Sequence, residues 1–125
     1  MAYQYTTISR LDQGVGLLLE ELKQWQVEND TLVIFSSDNG IPFPSGRTNF
    51  YDPGIREPFM ISNPLRPEEH NTSVDWPLVS LLDVVPTIMD WHKVPLPSYA
   101  IFKKSVSFTG RPLLSVPIKH SDYNY

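Results

Sequence analysis

The chain has 125 residues, enough for a single domain with a modest hydrophobic core. Its 10 basic and 14 acidic side chains give a net charge of −4, and no basic stripe runs along the sequence, which argues against a nucleic-acid partner. The absence of cysteine excludes a disulfide framework, a zinc-thiolate site and a cysteine nucleophile within these residues. No apolar stretch has the length of a membrane span, and the polar amino-terminal residues do not have the pattern of a signal peptide.

The first predicted element is an amphipathic helix from about Tyr5 to Gln24. A set of apolar residues recurs at steps of three and four, which places the set on one helical face. Its members are Ile8, Leu11, Val15, Leu18 and Leu22. Gly14 and Gly16 each weaken a helix by roughly 1 kcal/mol relative to alanine, so we interpret them as points of close packing against a neighbour. Asp12 lies beside the apolar face and is interpreted as a solvated residue.

The next element is a short strand that ends in polar side chains. Leu32–Phe35 is an uninterrupted apolar run, which favours a strand buried on both faces of a parallel sheet. Asp38 and Asn39 follow at its carboxyl end, where open α/β sheets bind ligands, and Gly40 allows a sharp turn or a close approach. A carboxylate beside an amide carbonyl suits Ca²⁺ or Mg²⁺, although Ca²⁺ needs about six to eight oxygen ligands. Asp-Asn-Gly is equally typical of a plain turn. For residues 31–40 taken alone, the metal site and the plain turn therefore both stay open as interpretations.

A long connection follows, Ile41–Pro58, which is rich in proline, glycine, serine and asparagine. It is predicted to lack secondary structure of its own, which is typical of functional or disordered loops. Phe59–Ile61 is a second predicted strand. Asn63–Pro77 is predicted to be a turn-rich surface connection, and Val79–Leu82 a third short strand.

The last long predicted helix begins after Asp83, which caps it, and ends at about Trp91. Pro86 fits the first turn of this helix, because the first four N–H groups of a helix have no internal partner. Residues 94–125 contain many prolines and no sustained periodicity, which predicts irregular structure with one short helix around Arg111–Leu114. The order helix, strand, strand, helix predicts an α/β layer, but two or three strands cannot complete a doubly covered sheet.

Arg47, in the loop run IPFPSGRTN, is the candidate anion-binding residue. Its guanidinium matches a planar or tetrahedral oxyanion, and a cation site followed by an arginine is typical of a site for an ester anion. A loop arginine taken alone is more often an ordinary surface residue. Triplets that accept N-glycosylation begin at Asn29 and Asn71, a pattern of secretory proteins that also arises by chance.

Five blocks of the sequence carry a family pattern. They are SRLDQGVG at 9–16, NDTLVIFSSDNG at 29–40, GIREPFMIS at 54–62, SLLDVVPTIMDW at 80–91 and TGRPLL at 109–114. In this order they resemble the sulfatase family, within the alkaline-phosphatase-like superfamily. The resemblance implies an α/β fold, a partial alkaline-phosphatase-like sandwich of mostly parallel strands with flanking helices. It assigns residues 1–115 to the carboxyl-terminal part of the catalytic domain, and 116–125 to an irregular tail or the start of the following subdomain.

The resemblance also implies roles for particular residues. Asp38 and Asn39 match the family's second pair of calcium ligands, and Arg47 stands where sulfatases have a basic residue that binds the sulfate group. Zinc-dependent relatives have a histidine at the position of Asn39, so the amide favours Ca²⁺ over Zn²⁺. Arg56 and Glu57 belong to a structural motif of the family and are predicted to form a buried or partly buried pair.

Other parts of the family's site have no counterpart in these residues. The family makes its formylglycine nucleophile from a cysteine in a C-x-P-S-R run, and it has two further aspartate ligands and assisting lysine and histidine residues. We expect these groups to precede residue 1, so the chain contains no catalytic residue and is predicted not to turn over by itself. His70, His92 and His120 fall outside the matching blocks and are interpreted as surface residues.

Within the family, the runs GIPFPSGRTNFY and PLPSYAIF look most like the sulfamidase branch. This implies hydrolysis of sulfamidate or sulfate ester groups of a glycosaminoglycan, such as N-sulfoglucosamine in heparan sulfate, and a lysosomal or secretory location for a full-length parent. Two alternatives stay open. The first is a non-catalytic remnant that binds a sulfated glycan or a protein partner, and the second is a phosphoester-cleaving relative, which Arg47 and Asn39 disfavour.

Overall fold

The computed structural model describes residues 2–42, 46–69, 78–101 and 104–115. Three α-helices lie in these ranges: α1 Ala2–Gln24, α2 Asp52–Ile55 and α3 Val84–Trp91. Four short strands accompany them: β1 Val33–Ser36, β2 Phe59–Ser62, β3 Tyr99–Ile101 and β4 Lys104–Val106. Single turns of 3₁₀-helix occur at Glu28–Asp30, Pro67–Glu69 and Leu81–Asp83.

The four strands form two separate two-stranded sheets, β1 with β2 and β3 with β4. β3 and β4 are antiparallel, with Tyr99 opposite Val106 and Ile101 opposite Lys104. The described residues therefore contain the predicted α/β combination of helices and strands. The strands form two small sheets, one of them antiparallel, and not a single layer of mostly parallel strands. The expected tail at 116–125 lies outside the described residues.

The chain divides into two compact units. The first comprises Met1–Ile34 and Ile61–His70, and the second comprises Phe35–Met60 and Asn71–Tyr125. All candidate site residues of the loop after β1 belong to the second unit. None of the described helices is long and apolar enough to cross a bilayer.

Helix α1 confirms the predicted element and starts three residues earlier than expected. Its predicted apolar face is largely open to solvent, since Ile8, Leu11 and Leu18 are each more than half exposed. The interpretation of Gly14 and Gly16 as points of close packing is not borne out among the described residues, since no described atom beyond the local helix backbone lies within 4 Å of a Cβ built on either glycine. Apart from Pro86, no apolar side chain is buried in the described part of the chain. Periodicity therefore identified the apolar face of α1 without identifying a contact for it.

Helices α1 and α3 end in the same way. Each is followed by a residue in the left-handed region, Gln26 and Lys93, both with φ of 56°. At the end of α1 the Val27 N–H donates to the carbonyl of Leu22 at 3.0 Å, and the corresponding bond closes α3 at 2.9 Å. Both ends are therefore Schellman motifs, in which the residues beyond the helix satisfy its last carbonyl groups.

The predicted strands are confirmed in part. β1 is shifted by one residue from the predicted run and is half-buried along its length, so it is not the fully buried strand that was expected. β2 extends the predicted second strand by one residue. The long loop contains the short helix α2, which was not predicted. β3 and β4 lie in a region that was expected to be irregular.

The predicted third strand at Val79–Leu82 is wrong, because side chains compete with strand formation there. The Ser80 hydroxyl accepts a hydrogen bond from the Leu82 N–H at 3.3 Å, and the Asp83 carboxylate accepts one from the Ser80 N–H at 2.9 Å. This reciprocal capping box starts the 3₁₀ turn Leu81–Asp83, which leads directly into α3. Asp83 thus caps the 3₁₀ turn, and its side chain makes no cap hydrogen bond to α3 itself.

Buried polar groups fasten residues 111–113 to the start of α3. Asp83 is 6% exposed, and its Oδ1 accepts a hydrogen bond from the Arg111 N–H at 2.9 Å. Thr87 is fully buried, and its hydroxyl donates to the Asp83 carbonyl at 2.6 Å and accepts from the Leu113 N–H at 3.1 Å. These long-range bonds occupy the N–H groups of residues 111 and 113, and the short helix predicted around Arg111–Leu114 does not form.

The role of the Thr87 hydroxyl gives a stability prediction. We expect Thr87→Val to lower the free energy of unfolding by about 1–3 kcal/mol, because valine keeps the shape but leaves the Leu113 N–H without its acceptor. Thr7→Val is the matched control, since the Thr7 hydroxyl makes the same bond to a carbonyl four residues earlier, at 3.0 Å, on an exposed face of α1. Urea denaturation followed by circular dichroism measures both variants. Equal losses of unfolding free energy in the two variants would contradict a special role for the bond between the Thr87 hydroxyl and the Leu113 N–H.

Candidate metal and anion site

The residues after β1 form a turn that side chains hold in place. The Ser37 hydroxyl donates a hydrogen bond to the carbonyl of Asn39 at 2.9 Å, and the Asn39 amide nitrogen donates to the carbonyl of Gly40 at 3.0 Å. The donor end of the Asn39 amide is therefore occupied, and its oxygen is the end that can accept or bind a cation. Asp38 is exposed, and its carboxylate has no hydrogen bond or ion pair within the described ranges. The segment is thus a turn that presents two side-chain oxygens.

Backbone contacts bring the loop back to this turn. Gly40, Gly46 and Gly54 are all buried, and their backbones approach one another too closely for a side chain. A Cβ on Gly46 would lie 3.1 Å from the carbonyl carbon of Gly40, and a Cβ on Gly40 would collide with the carbonyl oxygen of Pro53. The Gly40 N–H also donates to the Gly54 carbonyl at 3.4 Å. The backbone that precedes Arg47 therefore lies against the backbone that follows Asn39.

Arg47 itself stands on an exposed turn directly after Gly46. Within the described part of the chain, no hydrogen bond or ion pair holds its guanidinium. The loop thus brings the arginine close to the Asp38–Asn39 turn through the backbone, while the charged group stays in solvent. This fits a residue that is available to bind an anion, and it equally fits an ordinary surface arginine.

An open cleft of about 280 Å³ adjoins the turn, within the second unit. Asp38 and Glu57 both line it, together with Ser36, Ser37 and Ser80 and the apolar side chains of Ile55, Phe59, Val79 and Leu81. Arg47 is not among the described residues of its wall. Two carboxylates without a basic residue favour a cation over an anion in this cleft.

The donors present fit part of a calcium site. The side chains of Asp38, Asn39 and Glu57 offer oxygen donors, which are the ligands that Ca²⁺ and Mg²⁺ prefer. No group of three or more histidine, cysteine, aspartate or glutamate residues that could hold a metal ion occurs in the described ranges. The described residues can therefore supply only part of the coordination of a Ca²⁺ ion. The remaining coordination positions would need oxygens from elsewhere.

The predicted pairing of Arg56 with Glu57 is wrong. Arg56 contacts Asp52 instead, with 4.0 Å between Nη1 and Oδ2 and more than four-fifths of each side chain exposed. Glu57 is half-buried, and one of its oxygens lies 3.1 Å from the position that a Cβ on Gly40 would occupy. Glu57 is thus a residue of the cleft that the sequence did not reveal as such. No local signal could have shown it, because the contact joins residues 17 positions apart.

The remaining candidate residues lie away from the cleft or outside the described ranges. His92 is exposed just after α3, in agreement with its interpretation as a surface residue, and His70 and His120 lie outside the described residues. Asn29, the first glycosylation candidate, is exposed in the 3₁₀ turn Glu28–Asp30. Asn71, the second, lies outside the described residues.

Comparison with known proteins identifies the family. A family model described as sulfatase matches residues 1–94. Human N-sulphoglucosamine sulphohydrolase is 59% identical over 115 residues, which cover 91% of this chain and 23% of that protein. Choline-sulfatase of Rhizobium meliloti is 34% identical over 97 residues, covering 74% of this chain and 18% of that protein. An ulvan-active sulfatase of Formosa agariphila is 31% identical over 85 residues, covering 68% and 14% respectively.

The chain thus spans less than a quarter of the length of the curated relatives that it matches. The match of the family model extends over three-quarters of the chain and includes Asp38, Asn39, Arg47 and Glu57. It also includes β1, β2 and α3, so the family assignment and the coarse α/β fold agree. The chain belongs to the sulfatase family.

Proposed function

We propose that this chain is part of a calcium-dependent sulfatase that hydrolyses sulfamidate or sulfate ester groups of a glycosaminoglycan, with N-sulfoglucosamine of heparan sulfate as the preferred unit. The observation that carries the proposal is the 59% identity, over 115 residues, to a human protein named for hydrolysis of N-sulphoglucosamine. The exposed sequon residue Asn29 supports a lysosomal or secretory location for the whole protein.

In this proposal, Asp38 and Asn39 supply two oxygen ligands to Ca²⁺. The bond from the Asn39 amide nitrogen to the Gly40 carbonyl supports this role, because it leaves the amide oxygen as the free acceptor. Glu57 lines the cleft together with Asp38, and its negative charge strengthens the attraction of the cleft for a cation. A bound Ca²⁺ would stabilise the negative charge that develops on the sulfuryl oxygens.

Arg47 binds the anionic end of the substrate. Its guanidinium can donate two parallel hydrogen bonds to two sulfuryl oxygens, which orients the group and offsets its charge. The absence of any held partner on this side chain among the described residues supports the role, since no internal ion pair has to break first. The chain therefore contributes charge and orientation to the reaction. Its sequence contains no cysteine from which the family's formylglycine nucleophile could be made.

A graft tests the proposed function directly. In the graft, the segment of human N-sulphoglucosamine sulphohydrolase that this chain matches is replaced by the residues of this chain. We expect the graft to release sulfate from an N-sulfated glucosamine disaccharide, while the isolated chain releases none. A graft that unfolds at the same temperature as the parent but releases no sulfate would overturn the proposal. Glycan binding by such an inactive graft would favour the non-catalytic alternative.

The metal role of Asp38 gives a prediction for Ca²⁺ binding and activity. We expect Asp38→Ala in the graft to weaken Ca²⁺ binding and to lower kcat/KM at least about 100-fold, because a direct ligand should cost no less than the supporting residues of metal sites do. Asp12→Ala is the control, since Asp12 is an exposed carboxylate on α1. Calorimetric titration with Ca²⁺ and sulfate release measure the two effects. Full activity of Asp38→Ala after removal of Ca²⁺ by a chelator would exclude Asp38 from the site.

The anion-binding role of Arg47 gives a prediction for the kinetics of the graft. We expect Arg47→Ala to lower kcat/KM of the graft about 10- to 150-fold, which corresponds to the loss of one charge-assisted interaction of about 1.5–3 kcal/mol. Arg47→Lys should recover part of the loss, because lysine keeps the positive charge but cannot donate the two parallel hydrogen bonds of a guanidinium. Arg10→Ala, a change on the exposed side of α1, is the control. Unchanged kinetics in Arg47→Ala would return Arg47 to the class of surface residues.

A further inference from the structure

Gly54 lies between the two halves of the candidate site. On one side its carbonyl oxygen accepts the hydrogen bond from the Gly40 N–H, at 3.4 Å, directly after the Asp38–Asn39 turn. On its other side, a Cβ on Gly54 would collide with the carbonyl oxygens of Gly46 and Asn49, the residues that bracket Arg47 closely in the chain. Gly54 therefore contacts the cation side of the site, the Asp38–Asn39 turn, through its carbonyl group. It contacts the arginine side, residues 46–49, through its Cα.

The arginine side is also tied to the helix that contains Gly54. The side-chain oxygen of Asn49 accepts a hydrogen bond from the Tyr51 N–H at 3.0 Å. The Gly54 N–H donates to the Tyr51 carbonyl at 2.7 Å, which closes the first turn of α2. Any displacement at Gly54 is thus transmitted to residues 46–49 through the backbone and the Asn49 side chain together.

We propose that Gly54 is a positioning residue: the missing side chain at this position sets the distance between the oxygen ligands of Asp38 and Asn39 and the guanidinium of Arg47. This inference rests on the proposed function, in which one sulfuryl group is bound by the cation and by Arg47 at once. Such a group demands a spacing that is correct within a fraction of an ångström. The space that Gly54 leaves free is smaller than a methyl group, and the atoms that an added Cβ would meet belong to Gly46 and Asn49, on the side of Arg47.

The test uses Gly54→Ala in the graft and compares two ligands. We expect inhibition by inorganic sulfate to weaken and KM to rise about 10- to 100-fold, because the guanidinium is displaced from the position that matches the cation. Ca²⁺ affinity should stay unchanged, because the added methyl group points at residues 46–49 and not at the Asp38–Asn39 turn. Gly16→Ala is the matched control, since no atom lies within 4 Å of its added Cβ. An equal loss of Ca²⁺ affinity in Gly54→Ala would overturn the inference.

A double-mutant cycle separates this inference from the proposed function. If Gly54 acts through Arg47, Gly54→Ala adds little to the loss of sulfate inhibition in an Arg47→Ala background. A full additional loss would show that Gly54 acts elsewhere and would overturn the inference. If Arg47→Ala alone leaves sulfate inhibition unchanged, Arg47 does not bind the sulfuryl group and the proposed role of Arg47 fails. The positioning role of Gly54 then fails as well, and the single variant Arg47→Ala shows that the cause lies in the proposed function.

A milder variant covers the case in which Gly54→Ala does not fold. Asn49→Ala removes the side-chain oxygen that accepts from the Tyr51 N–H and so loosens residues 46–49 from α2. We expect it to weaken sulfate inhibition in the same direction as Gly54→Ala, again with unchanged Ca²⁺ affinity. A folded Asn49→Ala graft with unchanged sulfate inhibition would overturn the inference.

Discussion

The loop that carries the candidate site depends on one close approach of backbone to backbone. Gly40, Gly46 and Gly54 come together with so little space between them that a Cβ on any one would collide with a carbonyl oxygen of its neighbours. The approach therefore brings the backbone that precedes Arg47 close to the turn that presents the oxygen donors of Asp38 and Asn39.

A second set of contacts holds the far wall of the cleft, and it is polar. The buried Asp83 carboxylate accepts from the backbone of Ser80 and Arg111, and the buried Thr87 hydroxyl bonds to the backbone of Leu113. No buried side-chain polar atom of the described residues lacks a partner. Burial of polar groups is stabilising only when every group has a hydrogen-bond partner. The contacts of Asp83 and Thr87 with residues 111–113 therefore favour this one arrangement of the backbone.

Local patterns predicted the elements whose causes are local. The apolar run before Asp38 predicted β1, the spacing of apolar residues predicted α1, and Pro86 agreed with the first turn of α3. Predictions failed in two places where side chains bond to the backbone. Residues 111–114 form no helix and are held instead by long-range bonds from the Arg111 and Leu113 N–H groups to Asp83 and Thr87. The residues before Asp83 form a local capping box instead of a strand.

The sequence by itself determined the chemistry of the site: hard oxygen donors at Asp38 and Asn39, a guanidinium at Arg47, and no cysteine nucleophile. It also carried the blocks by which the sulfatase family is recognised. Only the tertiary structure decided that Glu57 lines the same cleft as Asp38, and that Gly54 separates the two halves of the site. The physical reason is that residue types determine what a group can bind, whereas contacts between residues far apart in the chain determine which groups can bind one ligand together.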